Sequence, residues 1–137
     1  MKTHIFLIDD DIDEMKLFVE AMKEVIAGFK CTYASSGAQA LKMLLYLRPE
    51  VIFIDYNMPL MNGLELAEEL KKSKELKDIP LFLYSTHISS NMLQKARELG
   101  IAQCIEKPCT MNEMIQTLKI IFTGEGKFNL SLSGSSS

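Results

Sequence analysis

Apolar residues fall into two kinds of run in this chain. Residues 4–8 (HIFLI), 30–35 (KCTYAS), 51–54 (VIFI), 79–84 (IPLFLY) and 102–106 (AQCIE) are short segments with strand-forming side chains. VIFI and IPLFLY are apolar without alternation, as expected of strands covered on both faces. Between these segments the period changes. Ile12, Met15, Val19, Met22 and Ile26 recur at steps of three and four, which predicts a helix with one buried stripe. Gly28 stands where that helix should stop. Further helices are predicted over 36–47, 64–76, 89–99 and 110–122, with a loop over 55–63. Ser36 with Gln39, and Thr110 with Glu113, have the spacing of helix-opening capping boxes. Five strand-then-helix units in succession predict an α/β fold, a parallel sheet with helices on both faces.

Composition adds limits. The 137 residues suit one domain, read as residues 1–122, and residues 123–137 read as a flexible Gly/Ser-rich tail. A net charge of −3 and no block of Lys or Arg argue against nucleic acid as a partner. No apolar run approaches the ~20 residues of a membrane span, and the first residues lack a signal-peptide pattern. Cys31, Cys104 and Cys109 show no CxxC spacing, which fits reduced thiols and a cytoplasmic location.

Chemistry gathers where the strands end. Asp9 and Asp10 follow the first strand, Asp55 the third, Ser85 the fourth and Lys107 the fifth. In a doubly wound parallel sheet these positions share one edge. Three carboxylates there repel one another unless a cation sits among them, and Mg²⁺ suits hard oxygen donors beside a phosphate. Asp55 then reads as a nucleophile for phosphoryl transfer. Asp11 reads as the N-cap of the next helix with Glu14 closing its capping box, and Asp13 and Glu14 also complement the helix dipole. Asp9, Asp11, Asp13 and Glu20 match four positions of a calcium-binding EF-hand loop, but Glu14 stands where that turn needs Gly and the flanking segment is a strand. His4 and His87 are read as structural or solvated.

The motifs FLIDDD, VIFIDYNMPLMNG, IPLFLYST and IEKPC, each at its own strand end, resemble the receiver domain of two-component response regulators over roughly residues 3–122. The resemblance implies a flavodoxin-like sheet of order 2-1-3-4-5. It implies Asp55 as phosphoacceptor, Asp9 and Asp10 as Mg²⁺ ligands with Asp55 and the Asn57 backbone carbonyl, Ser85 as switch hydroxyl and Lys107 as phosphate partner. It also implies a cis Lys107–Pro108 bond. The expected function is that of a single-domain, chemotaxis-type receiver. It takes a phosphoryl group from a phosphohistidine on a histidine kinase or phosphotransfer protein. It signals by protein–protein contact through residues 89–122, and it is no enzyme beyond its own Mg²⁺-dependent phosphorylation and dephosphorylation. The alternative is a degenerate receiver, an interaction module independent of phosphorylation. An Asp-nucleophile phosphatase or a flavin carrier fits less well. Asn57 stands where such a phosphatase would carry a second Asp, and no Gly-rich phosphate loop follows the first strand.

Three positions depart from the family. Cys104 replaces a usual aromatic, Thr86 a usual Ala or Gly, and Cys109 a frequent Phe. A side chain larger than Ala or Gly at Thr86 is expected to narrow access of water or a partner to a phosphoryl group on Asp55. Thr86→Ala is therefore expected to change the rate of aspartyl-phosphate decay, measured against wild type; equal lifetimes would refute it.

Overall fold

In the computed structural model, which describes residues 2–124, strands and helices alternate as the pattern predicts. The order is β1 (Thr3–Ile8), α1 (Ile12–Lys23), β2 (Phe29–Ala34), α2 (Gly37–Met43), β3 (Val51–Asp55), α3 (Gly63–Lys71), β4 (Leu81–Ser85), α4 (Ser90–Leu99), β5 (Gln103–Glu106) and α5 (Met111–Thr123). All strand pairs are parallel and the sheet order is β2-β1-β3-β4-β5, the flavodoxin-like arrangement. Residues 125–137, most of the expected tail, lie outside the described residues. Gly124 caps α5 with a left-handed φ of 74°.

The alternation of each strand sorts its side chains into two cores. Phe6, Ile8, Ile52, Ile54, Leu81 and Leu83 join the cluster covered by α2, α3 and α4. Ile5, Leu7, Val51, Phe53, Tyr84 and Ile105 join the cluster covered by α1 and α5. Phe53 is the hub of the second: its ring lies 5.0 Å from Phe18 edge-on, 5.0 Å from Phe82 stacked and 6.0 Å from Phe122.

Three helices are shorter than their periodicity predicts. α1, α2 and α3 stop at Lys23, Met43 and Lys71 rather than at residues 26, 47 and 76. The apolar residues beyond those ends still pack on the cores, but from turns: Val25 and Ile26 on one, Leu44, Leu47 and Leu76 on the other. The buried stripe of α1 also differs. Phe18, Ala21 and Met22 are buried, whereas Ile12 at the first position is 52% exposed.

The caps follow one rule with a shift. The Ser36 and Thr110 side chains accept the N–H groups of Gln39 and Glu113 as predicted. The return bond, however, comes from one residue earlier: Ser35 N–H donates to Gln39 Oε1 at 2.6 Å, and Cys109 N–H to Glu113 Oε1 at 2.9 Å. The reciprocal capping box occurs instead at α3, between Asn62 and Glu65.

The loop from β3 to α3 folds tightly back on the strand end. Gly63 N–H donates to the Tyr56 carbonyl at 3.0 Å. A Cβ at Gly63 would lie 2.7 Å from the Asp55 carbonyl oxygen and 2.8 Å from Tyr56 Cα, both backbone atoms. Leu60, in the same loop, is fully exposed with a left-handed φ of 71°, a conformation that costs a non-glycine residue about 1–2 kcal/mol. Because the crowding at Gly63 is against backbone, Gly63→Ala is expected to destabilise the fold by about 1–3 kcal/mol, read as a lower midpoint in urea unfolding.

Candidate functional site at the carboxyl edge of the sheet

Register places the site. Ile8 pairs with Ile54, so the next residues, Asp9 and Asp55, end adjacent strands side by side. Asp55 pairs with Tyr84, and Tyr84 with Ile105, two residues before Lys107. Asp9, Asp55 and Lys107 share the alternation of Leu7, Phe53 and Ile105, which belong to the core on the α1 and α5 face. Backbone bonds carry the sheet past its nominal ends: Asp9 N–H to Ala34 O at 3.1 Å, Tyr56 N–H to Tyr84 O at 2.9 Å and Lys107 N–H to Ser85 O at 2.8 Å.

Lys107 Nζ lies 2.9 Å from Asp55 Oδ1 and 2.7 Å from Glu14 Oε1. It also sits 5.5 Å from the centre of the Tyr84 ring, within cation–π range. Asn57 N–H donates to Asp55 Oδ1 at 3.3 Å. Asp9 is buried: its Oδ1 accepts Asp11 N–H at 2.9 Å, and its Oδ2 has no partner. Carboxylate oxygens of Asp9, Glu14 and Asp55 all lie within 4.8 Å of one another.

These positions set the charge balance. Burial pushes the Asp9 carboxyl up to about 8, and the Glu14 carboxyl beside it adds to the rise. Burial also raises Asp55, outweighing the lowering by Lys107. Burial alone would lower the Lys107 ammonium, but Glu14 and Asp55 together raise it. Tyr84 is buried with an unpartnered hydroxyl, and burial and then the surrounding carboxylates raise its phenol well above the usual range. The residues present fit a divalent cation: hard oxygen donors, an orphaned buried carboxylate oxygen, and more negative charge than one ammonium offsets.

The other expected residues are placed as follows. Asp10 is exposed beside Asp9, outside the close trio of acids. Ser85 is buried, and its hydroxyl is engaged in its own turn: it donates to His87 O at 2.8 Å and accepts from Asn57 Nδ2 at 3.5 Å. Thr86 is exposed at the mouth of that turn. Cys104 is buried in the core on the α4 side, where burial pushes its thiol up to about 11, and Cys109 is exposed. His4 Nε2 pairs with Thr32 Oγ1 at 2.8 Å, far from this edge. The Lys107–Pro108 bond is trans, as are all peptide bonds among the described residues, which corrects the expected cis form; trans is the lower-energy isomer by about 0.5–1 kcal/mol.

Two residues were missed. Glu14 does not close a capping box with Asp11, whose side chain takes Asp13 N–H instead; it reaches over the sheet edge to Lys107. Its signal was its place on α1: Glu14, Phe18 and Met22 lie four residues apart, so Glu14 continues the inward stripe. In the sequence Tyr84 is marked only by strand propensity, yet it lies beside Asp55 on the same face of the sheet.

The sequence pattern of the response regulator receiver domain matches residues 5–119, and the chain belongs to that family. It is 27% identical over 124 residues to the phosphate regulon transcriptional regulatory protein PhoB of Pseudomonas aeruginosa, covering 89% of this chain and 53% of that protein. This chain thus spans about half the length of PhoB. It is also 27% identical over 119 residues to the polar-differentiation response regulator DivK of Brucella ovis, covering 87% of this chain and 95% of DivK. Among solved structures, the phosphorylated cyanobacterial phytochrome response regulator RcpA matches with a TM-score of 0.81 at 26% identity, over 88% of this chain and 91% of that one. Among the described residues, no helix is long and apolar enough to cross a membrane.

The unpartnered Asp9 oxygen makes the metal-free site a source of instability. Asp9→Asn keeps the acceptor for Asp11 N–H and removes the charge. It is expected to raise the metal-free melting temperature by roughly 3–6 °C, the effect of about 1 kcal/mol in a domain of this size. A carboxyl raised from 3.8 to about 8 on folding favours the folded state at low pH and loses that contribution as pH rises through 8. Metal-free wild type should therefore melt higher at pH 5 than at pH 8, and the difference should shrink in Asp9→Asn.

Proposed function

We propose that this receiver domain accepts a phosphoryl group on Asp55 from a phosphohistidine of a histidine kinase or phosphotransfer protein, in a Mg²⁺-dependent reaction. The observation that carries this reading is the buried pairing of Asp55 with Lys107 at 2.9 Å beside the orphaned Asp9 carboxylate oxygen. The similarity to RcpA, a protein solved in phosphorylated form, supports it. An Asp55 carboxylate oxygen forms the new O–P bond as the N–P bond of the donor breaks, and the electron pair leaves with the donor imidazole. Lys107, already on Asp55 Oδ1, lies within reach of a phosphoryl oxygen attached there. Asp9, Asp10, Asp55 and the Asn57 carbonyl would hold the cation. When bound, Mg²⁺ supplies charge neutralisation for the phosphoryl oxygens.

Ser85 is the switch. Its hydroxyl leaves the His87 carbonyl and donates to the phosphoryl oxygen instead, redrawing the turn that leads into α4. The changed face, residues 89–122, contacts a downstream protein. In this reading the domain is a phosphoacceptor and not a multiple-turnover enzyme, and it works in the cytoplasm.

Acetyl phosphate with Mg²⁺, read by intact mass, tests the proposal. Wild type is expected to gain one acid-stable, base-labile phosphoryl group, and Asp55→Asn or chelation of Mg²⁺ to abolish it. No adduct on wild type, or one that persists in Asp55→Asn, would favour the phosphorylation-independent interaction module.

A further inference from the structure

Glu14 is a carboxylate at this edge that neither the strand-end reading nor the family resemblance assigns to the site. It comes from the first turn of α1, yet its Oε1 is 2.7 Å from Lys107 Nζ, nearer than Asp55 Oδ1 at 2.9 Å. Its side chain is 33% exposed, against 13% for Lys107 and 2% for Asp55, so it forms the outer wall of the pair. On its inner side lies Asp9, fully buried, with Oδ2 unpartnered. A cavity of about 60 Å³ borders the contact, lined by Glu14, Leu17, Tyr84, Lys107, Pro108 and Met114. One ammonium thus serves an edge with three carboxylates: in the proposed function Asp55 carries the phosphoryl group and Asp9 holds the cation, and Glu14 has neither role.

We propose that Glu14 is a positioning residue that holds Lys107 between itself and Asp55, strengthens the field that draws the divalent cation, and opposes build-up of a phosphoryl dianion on Asp55. The second half rests on the phosphoacceptor reading; the first does not. The physical basis is one charge acting with opposite sign on two events. A carboxylate a few ångströms from the site attracts a cation and repels a dianion. It also competes with the phosphoryl group for the same ammonium.

Glu14→Gln keeps the shape and removes the charge. Two quantities are measured on the full chain: the Mg²⁺ dissociation constant of unmodified protein by calorimetric titration, and the rate of phosphorylation by acetyl phosphate at saturating Mg²⁺. The dissociation constant is expected to rise about threefold or more, and the rate also to rise about threefold or more. Damage to packing would weaken metal binding and slow phosphorylation together, so weaker binding with faster reaction is the signature of the proposed role. A change smaller than about twofold in either quantity, or a fall in the rate, overturns it. If wild type itself takes no phosphoryl group, the phosphoacceptor reading has failed separately. The Mg²⁺ titration then decides the role of Glu14: a constant within about twofold of wild type overturns it, and a larger rise sustains the cation-drawing half.

Discussion

The Lys107 ammonium is the cation on which the carboxyl edge of the sheet depends. Parallel pairing of β1 with β3 forces Asp9 and Asp55 to end side by side, and α1 brings Glu14 over them. Three like charges within 4.8 Å are unstable in a partly buried place, and a single ammonium touches only two of them. The remaining imbalance falls on Asp9, whose carboxyl burial pushes up to about 8 and whose Oδ2 is left without a partner. A site in this condition is poised for a divalent cation, because what burial and repulsion destabilise a cation relieves.

The scaffold under this edge is rigid for reasons unrelated to charge. β3 is buried along its whole length, and Phe53 locks α1, β4 and α5 around one ring. Asp55 therefore ends a strand that is buried along its whole length. Gly63 brings the following loop so close that backbone meets backbone, which holds the other side of Asp55. Ser85, the last residue of β4, is bonded to the loop that follows it, and Glu14 lies in the first turn of α1 with a partly exposed side chain.

The two faces of the sheet also differ in the side chains they bring to this edge. Asp9, Asp55, Lys107 and Tyr84 follow the alternation of the α1 and α5 side, whereas Cys104 and Leu83 follow that of the α4 side. The aromatic ring beside Ser85 in sequence thus supports Lys107 on one face. The position three before Lys107 presents only a thiol to the other.

Much of this was readable in the linear sequence, because strands buried on both faces and amphipathic helices leave separate periodicities, and an α/β alternation leaves few possible topologies. That Asp9, Asp55, Ser85 and Lys107 share one edge followed from position alone, since a parallel sheet sends every strand's carboxyl end there. The ends of α1, α2 and α3 were not readable, because Val25, Leu47 and Leu76 bury equally well from outside a helix as within one. Glu14 was misassigned because three-residue spacing from Asp11 satisfies a local rule, and only the packing of α1 on the sheet brings it to a lysine 93 residues away. Local bonding preferences are written in neighbouring residues. Which charge meets which across the edge is decided by how the helices settle on the sheet, and that depends on the whole core at once.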